Sequence, residues 1–155
     1  MRVLGIDYGA RRVGLAVSDA TGLLARPLKT LDRSSSLAGD AALVDAVLVA
    51  VTELSSDDEP FAAIVVGLPR HLDGSPNDQT PKVEAFVTRL SARTSLPVIL
   101  QDERLTSREA ESRLAVKEKD WRRRKPMLDA ATAAVILQDY LDAHRPVFVV
   151  DPDRP

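Results

Sequence analysis

Met1-Arg2-Val3-Leu4-Gly5-Ile6-Asp7-Tyr8-Gly9-Ala10-Arg11-Arg12-Val13-Gly14-Leu15-Ala16-Val17-Ser18 is one apolar run, a short turn and a second apolar run. Residues 2–8 and 13–18 read as strands joined through Gly9-Ala10-Arg11. Leu23 to Leu31, entered through Thr21-Gly22, reads as a third strand, so the chain opens with an antiparallel meander. Leu37, Ala41, Val44, Leu48 and Val51 then step by four and three along one helical face, and Asp57-Asp58-Glu59-Pro60 ends it. Phe61-Ala62-Ala63-Ile64-Val65-Val66 is apolar without alternation, the pattern of a central strand covered on both faces.

The rest of the chain alternates helix and strand. Thr80-Pro81 predicts an N-cap and first helical residue, with Val83, Phe86, Val87 and Leu90 on the buried face. A strand is expected at 97–101, and Thr106-Ser107-Arg108-Glu109 fits a capping box for a further helix. The basic stretch Glu118 to Lys125 reads as a loop before a last helix near 126–143. Residues 146–155 read as a tail, with one extended stretch at 147–150. The order β-β-β-α-β-α-β-α-α calls for a meander extended by parallel strands, in one domain over residues 1–145.

Composition removes several classes of function. The 155 residues are 45% hydrophobic, enough for an independent core, and no apolar run spans a bilayer. With no cysteine and only His71 and His144, thiolate-bound zinc and His-rich metal sites are excluded. The N-terminus enters a strand at once, leaving no room for a signal peptide, so a cytoplasmic location is expected. Net charge is only −2, but Arg104 to Lys125 holds nine basic residues against four acidic ones, a local +5. That is the pattern of a polyanion-facing surface, although a solvated helix end and loop would look the same.

Three carboxylates stand where a purely structural chain would place something else. Asp7 ends the first strand, Glu103 follows the run at 96–101, and Asp129 lies in the first turn of an otherwise apolar helix, Met127 to Leu141. Each has a bland explanation. Asp7 could form a turn before Gly9, Glu103 could decorate a loop near a helix N-terminus, and Asp129 could act as a cap. Brought together in a sheet-and-helix domain, they would repel unless a divalent cation held them, and hard oxygen ligands suit Mg²⁺ or Mn²⁺. A two-metal site of this type hydrolyses phosphodiesters and needs no nucleophilic side chain.

These blocks together resemble a known family. Ile6-Asp7-Tyr8-Gly9 with Arg12-Val13-Gly14-Leu15-Ala16 is similar to the opening of the YqgF proteins, also called RuvX. The likeness continues through Val66-Gly67-Leu68-Pro69, Asp73-Gly74-Ser75 and Asp102-Glu103-Arg104-Leu105-Thr106-Ser107. It closes with Asp129-Ala130-Ala131 and Ala134 to Leu141, covering about residues 1–143. The resemblance implies an RNase H-like α/β fold, a mixed five-stranded sheet of three antiparallel and two parallel strands flanked by helices. It also implies a bacterial cytoplasmic nuclease linked to 5′-end maturation of 16S rRNA from its precursor, or to Holliday junction cleavage. By motif position the catalytic and metal-binding residues would be Asp7, Glu103 and Asp129, with Mg²⁺ or Mn²⁺ as cofactor.

Nucleic acid, as rRNA precursor or branched DNA, is the expected partner. Arg104, Arg108, Trp121, Arg122, Arg123, Arg124 and Lys125 are its candidate contacts. Trp121 within its basic run and the tail after His144 depart from the family pattern, and Trp121 serves equally well as a loop anchor. A ribosomal particle is a natural setting, no membrane is expected, and action on a two-fold symmetric junction would call for a homodimer. Two other readings stay open here. An actin-like ATPase shares Asp-Tyr-Gly but needs two related domains, and a non-catalytic assembly factor could keep the fold.

Overall fold

A computed structural model describes residues 2–34, 37–103 and 121–145, the side chains of 121–126 excepted. Its strands are β1 (Arg2–Asp7), β2 (Arg12–Ser18), β3 (Ala25–Asp32), β4 (Phe61–Pro69) and β5 (Val98–Glu103). The helices are α1 (Asp40–Leu54), α2 (Thr80–Ser91) and α3 (Trp121–Ala143). The five strands form one sheet in the order β3-β2-β1-β4-β5. β1 pairs antiparallel with β2, and β2 with β3, whereas β4 runs parallel to both β1 and β5. The expected meander with a parallel extension is the architecture found.

Strand alternation sorts the sheet into two faces. Leu4, Ile6, Val13, Leu15, Val17, Ile64, Val66 and Leu68 meet Leu43, Val44 and Val47 of α1 and Val83, Phe86 and Leu90 of α2. Val3, Ala16, Ala63 and Val65 meet Ala133, Ile136, Leu137 and Leu141 of α3 on the opposite face. Burying each large aliphatic side chain contributes about 1.5–3 kcal/mol, so both layers are needed. β4 is buried on both faces, as its unbroken apolar run predicts.

α3 lies close to the sheet because glycines open the way. A Cβ at Gly5 would come within 2.8 Å of Leu137 Cβ, and one at Gly14 would collide with the backbone of Asp129. Glycine inside an apolar strand commonly marks such a close approach.

Four expectations are corrected. α3 begins at Trp121, not near 126, so the backbone of Trp121 to Lys125 is helical and not a loop. Arg and Lys are good helix formers, and a charged run is compatible with an exposed helical turn. Asp129 therefore sits well inside the helix, with no acidic residue in its first turn, and loses the benefit of the helix N-terminus. Leu23 and Leu24 belong to the turn before β3 and are exposed. Thr80 does not cap α2: its hydroxyl donates to Pro69 O, while Asn77 Oδ1 accepts the Gln79 and Thr80 N–H groups. The helix expected from Thr106-Ser107 and the tail with its stretch at 147–150 lie outside the described residues. No helix among the described residues is long and apolar enough to cross a membrane.

Candidate active site

Asp7 is the last residue of β1 and pairs in register with Gly14 of β2. It follows Val3 and Gly5 on the α3 side of the sheet. Glu103 is the last residue of β5 and follows Ile99 and Gln101 on the same side. β4 separates the two strands, so their backbones lie roughly 10 Å apart at the usual strand spacing. Gly67 of β4 closes much of that gap. A Cβ there would fall 2.6 Å from Glu103 Oε2, so the carboxylate occupies the space above β4 and reaches toward Asp7. Asp129 hangs over the same end of the sheet, its backbone resting on Gly14.

Asp7 senses both of the other acids. Burial pushes the Asp7 carboxyl well above its ordinary value, and the charges of Glu103 and then Asp129 push it further. Burial and the adjacent Asp102 raise Glu103 from 4.5 to about 7. Asp129 is differently placed: its Oδ2 accepts from Arg12 Nε at 2.8 Å, forming a part-exposed ion pair. Among the described residues no three carboxylate or imidazole side chains stand together as a ready-made ion cage. Asp7 and Glu103 converge, while the Asp129 carboxylate is turned toward Arg12.

The donor chemistry fits a hard divalent cation. The acids are oxygen donors without thiol or imidazole, two are held above their normal pKa by burial and then by neighbouring negative charge, and the third is paired with a guanidinium. The same charge makes the cation-free protein sensitive to pH. An acid whose pKa is raised by folding contributes stability that is complete below its unfolded value and lost as pH rises through its folded value. For Glu103 that window runs from 4.5 to about 7, and Asp7 acts in the same direction. In EDTA, warming should unfold the protein more easily at about pH 8 than at about pH 5.5, with Glu103 responsible for on the order of 2 kcal/mol after allowance for residual hydration. Glu103→Gln should remove that share; an equally steep pH dependence in the variant would show that Glu103 is not strained.

Arg104 and Arg108 lie outside the described residues, as do the side chains of Trp121, Arg122, Arg123, Arg124 and Lys125. His144 stacks on Tyr140 at 4.2 Å, far along α3. The structure adds Arg12 and a network behind Asp7. Tyr8 Oη donates to Asp40 at 2.7 Å, and buried Arg33 pairs with the same Asp40 and donates to Gly9 O. This network ties the turn after Asp7 to the start of α1. Glycines within apolar strands are the available signal for Gly14 and Gly67; nothing local announces the pairing of Arg12 with Asp129.

Comparison with known proteins gives the family. Residues 1–143 match the model of the RuvX family, described as Holliday junction resolvases. The chain belongs to the RuvX family. It is 42% identical to a protein of Anaeromyxobacter dehalogenans, covering 94% of this chain and 100% of the relative. A Syntrophus aciditrophicus protein is 41% identical over 92% of this chain and 89% of its own length. Both relatives carry the name "Putative pre-16S rRNA nuclease". Among solved structures, RuvC of T. thermophilus in complex with Holliday junction substrate aligns over 93% of this chain and 97% of its own. With a TM-score of 0.57 and 18% identity, that likeness concerns the fold, which is RNase H-like. Gly14, Gly67 and the three acids all fall within the matched span of this RuvX chain.

Proposed function

We propose that this RuvX protein is a divalent-cation-dependent endonuclease that hydrolyses phosphodiester bonds of nucleic acid. Its biological task is 5′-end maturation of pre-16S rRNA, in the cytoplasm and on a precursor ribosomal particle; four-way DNA junctions are the second substrate to test. The observation that carries the reading is the convergence of the Asp7 and Glu103 carboxylates across Gly67, beneath Asp129. The names of relatives at 41 and 42% identity support the substrate class.

Asp7, Glu103 and Asp129 are the residues that would hold Mg²⁺ or Mn²⁺. A bound divalent ion there supplies an acidified water and offsets charge on the phosphoryl oxygens. The chain contributes the geometry. Asp7 and Glu103 are fixed by strand ends in a half-buried floor that carries no nucleophilic side chain among the described residues, so water would be the nucleophile. Asp129 can leave Arg12 for the cation, since a part-exposed pair of this kind contributes about 1 kcal/mol or less. A resolvase role would also require a dimer, because a four-way junction is two-fold symmetric.

A cleavage assay tests this directly, with precursor rRNA, unstructured RNA and a four-way DNA junction, each in Mg²⁺, Mn²⁺ and EDTA. Precursor rRNA should be cut near its mature 5′ end only when a divalent ion is present. Junction cleavage with intact precursor would move the function to DNA. Binding without cleavage of any substrate would favour a non-catalytic assembly factor.

A further inference from the structure

Beside the acids, the start of β2 and the end of β3 enclose a cleft of about 320 Å³ lined by Ala10, Arg11, Arg12, Asp32, Arg33 and Ser34. Its three arginines have different duties. Arg33 forms the floor: Nε donates to Leu37 O at 2.9 Å, Nη1 to Gly9 O at 3.0 Å, and Nη2 to Ala38 O and Asp40 Oδ1 at 3.1 and 2.8 Å. Those donors are spent on the fold. Among the described residues Arg12 commits only Nε, to Asp129, which leaves its terminal N–H groups for another acceptor. The Arg11 side chain is exposed and has no hydrogen-bond or ion-pair partner among the described residues, although its carbonyl accepts from Arg33 N–H.

We propose that Arg11 and Arg12 form a phosphate-binding arm that holds the nucleic-acid backbone next to the scissile bond. The inference rests on the nuclease reading above and adds the place where the flanking strand lies. Three features favour a backbone phosphate over a base. Guanidinium forks match phosphate oxygens in a bidentate manner. Among the described residues the lining contains no aromatic or large apolar side chain to act as a stacking platform. Arg12 also touches Asp129, so a phosphate on its free edge sits one residue away from the proposed catalytic acids. Asp32 adds one negative charge to the cleft. Its carboxylate accepts from Ser34 N–H at 2.8 Å and stays ionised, held below its ordinary pKa by Ser34 and by the nearby Arg12 charge. Contacts of this kind position a strand without reading its sequence.

The test is binding without turnover. Affinities of a fluorescent single-stranded RNA and a four-way DNA junction are measured in EDTA across a salt series, for wild type, Arg11→Gln, Arg12→Gln and the double variant. Each arginine that contacts a phosphate adds about 0.7 to the log–log salt slope on single strands and about 0.9 on duplex arms. Each single variant should lose that amount, the double variant about twice it, and the loss should be the same for unrelated sequences. Arg11→Gln is the cleanest arm, because its side chain has no partner among the described residues and melting should not change. Arg12→Lys keeps the charge but not the fork, so it should keep the slope while weakening affinity. An unchanged slope in the double variant, with a wild type that binds and cleaves, overturns the arm alone. A wild type that neither binds nor cleaves overturns the nuclease reading and the arm with it.

Discussion

Asp7→Asn is expected to abolish cleavage while making the cation-free protein more stable. The side chain ends β1 at the point where Glu103 and Asp129 approach, and burial already holds it well above the normal carboxyl pKa. Neutralising it would remove a proposed cation ligand, and such ligands act chiefly in the transition state, so the single-turnover rate should fall by at least about 10²-fold. Above the raised pKa, ionised Asp7 costs stability that Asn does not, which follows from the sign of the shift. In EDTA at about pH 8 the melting temperature should rise by roughly 3 °C, corresponding to about 1 kcal/mol for a domain of this size. Loss of activity accompanied by a lower melting temperature would make Asp7 a structural turn residue. Wild-type cleavage in the folded variant would remove it from the site.

The second large effect separates two glycines that resemble each other in sequence. At Gly14 a Cβ would strike the carbonyl oxygen and carbon of Asp129, backbone atoms that cannot move without shifting α3. Gly14→Ala should therefore cost about 3 kcal/mol or more, above the usual range for an added methyl group in a core. At Gly67 a Cβ would meet Glu103 Oε2 and Ile136 Cδ1, each at 2.6 Å and each the free end of a flexible side chain. Gly67→Ala should lose only about 1 kcal/mol, yet it should drive the Glu103 carboxylate off β4 and lower the cleavage rate by an order of magnitude or more. Denaturant unfolding and single-turnover rates measured on the same two variants check the contrast. Equal destabilisation in both would mean that α3 does not rest on Gly14 as described.

Much of the fold is legible in the amino-acid sequence alone. The meander, the doubly covered β4 and the buried face of α2 are written in hydrophobic periodicity. In α1 the fully buried residues are Leu43, Val44, Val47 and Ala50, so of the expected face Leu37, Ala41, Val44, Leu48 and Val51 only Val44 is fully buried, Ala41 is exposed and Leu37 precedes the helix. Asp7 and Glu103 are conspicuous as carboxylates closing apolar strands, and parallel pairing through β4 brings those ends to one edge. The register that lets Gly67 make room for Glu103 depends on three strands at once and has no local mark. Arg12 and Asp129 are 117 residues apart, so their ion pair is invisible to any window on the chain. The start of α3 is hidden because Pro126 suits a first helical turn and the preceding basic run looks like solvent-facing loop. Thr80 loses its capping role to a neighbour: Asn77 reaches the free N–H groups, and the threonine hydroxyl finds Pro69 O instead.

Three carboxylates holding a divalent cation are the heart of the proposed site, and Mn²⁺ binding measured by its own paramagnetic signal tests that without any substrate. The wild type should bind Mn²⁺, and Asp7→Asn, Glu103→Gln and Asp129→Asn should each weaken binding by about tenfold or more, while all three remain folded. Mn²⁺ affinity that is unchanged in all three variants, or absent from a wild type that still cleaves, would contradict it.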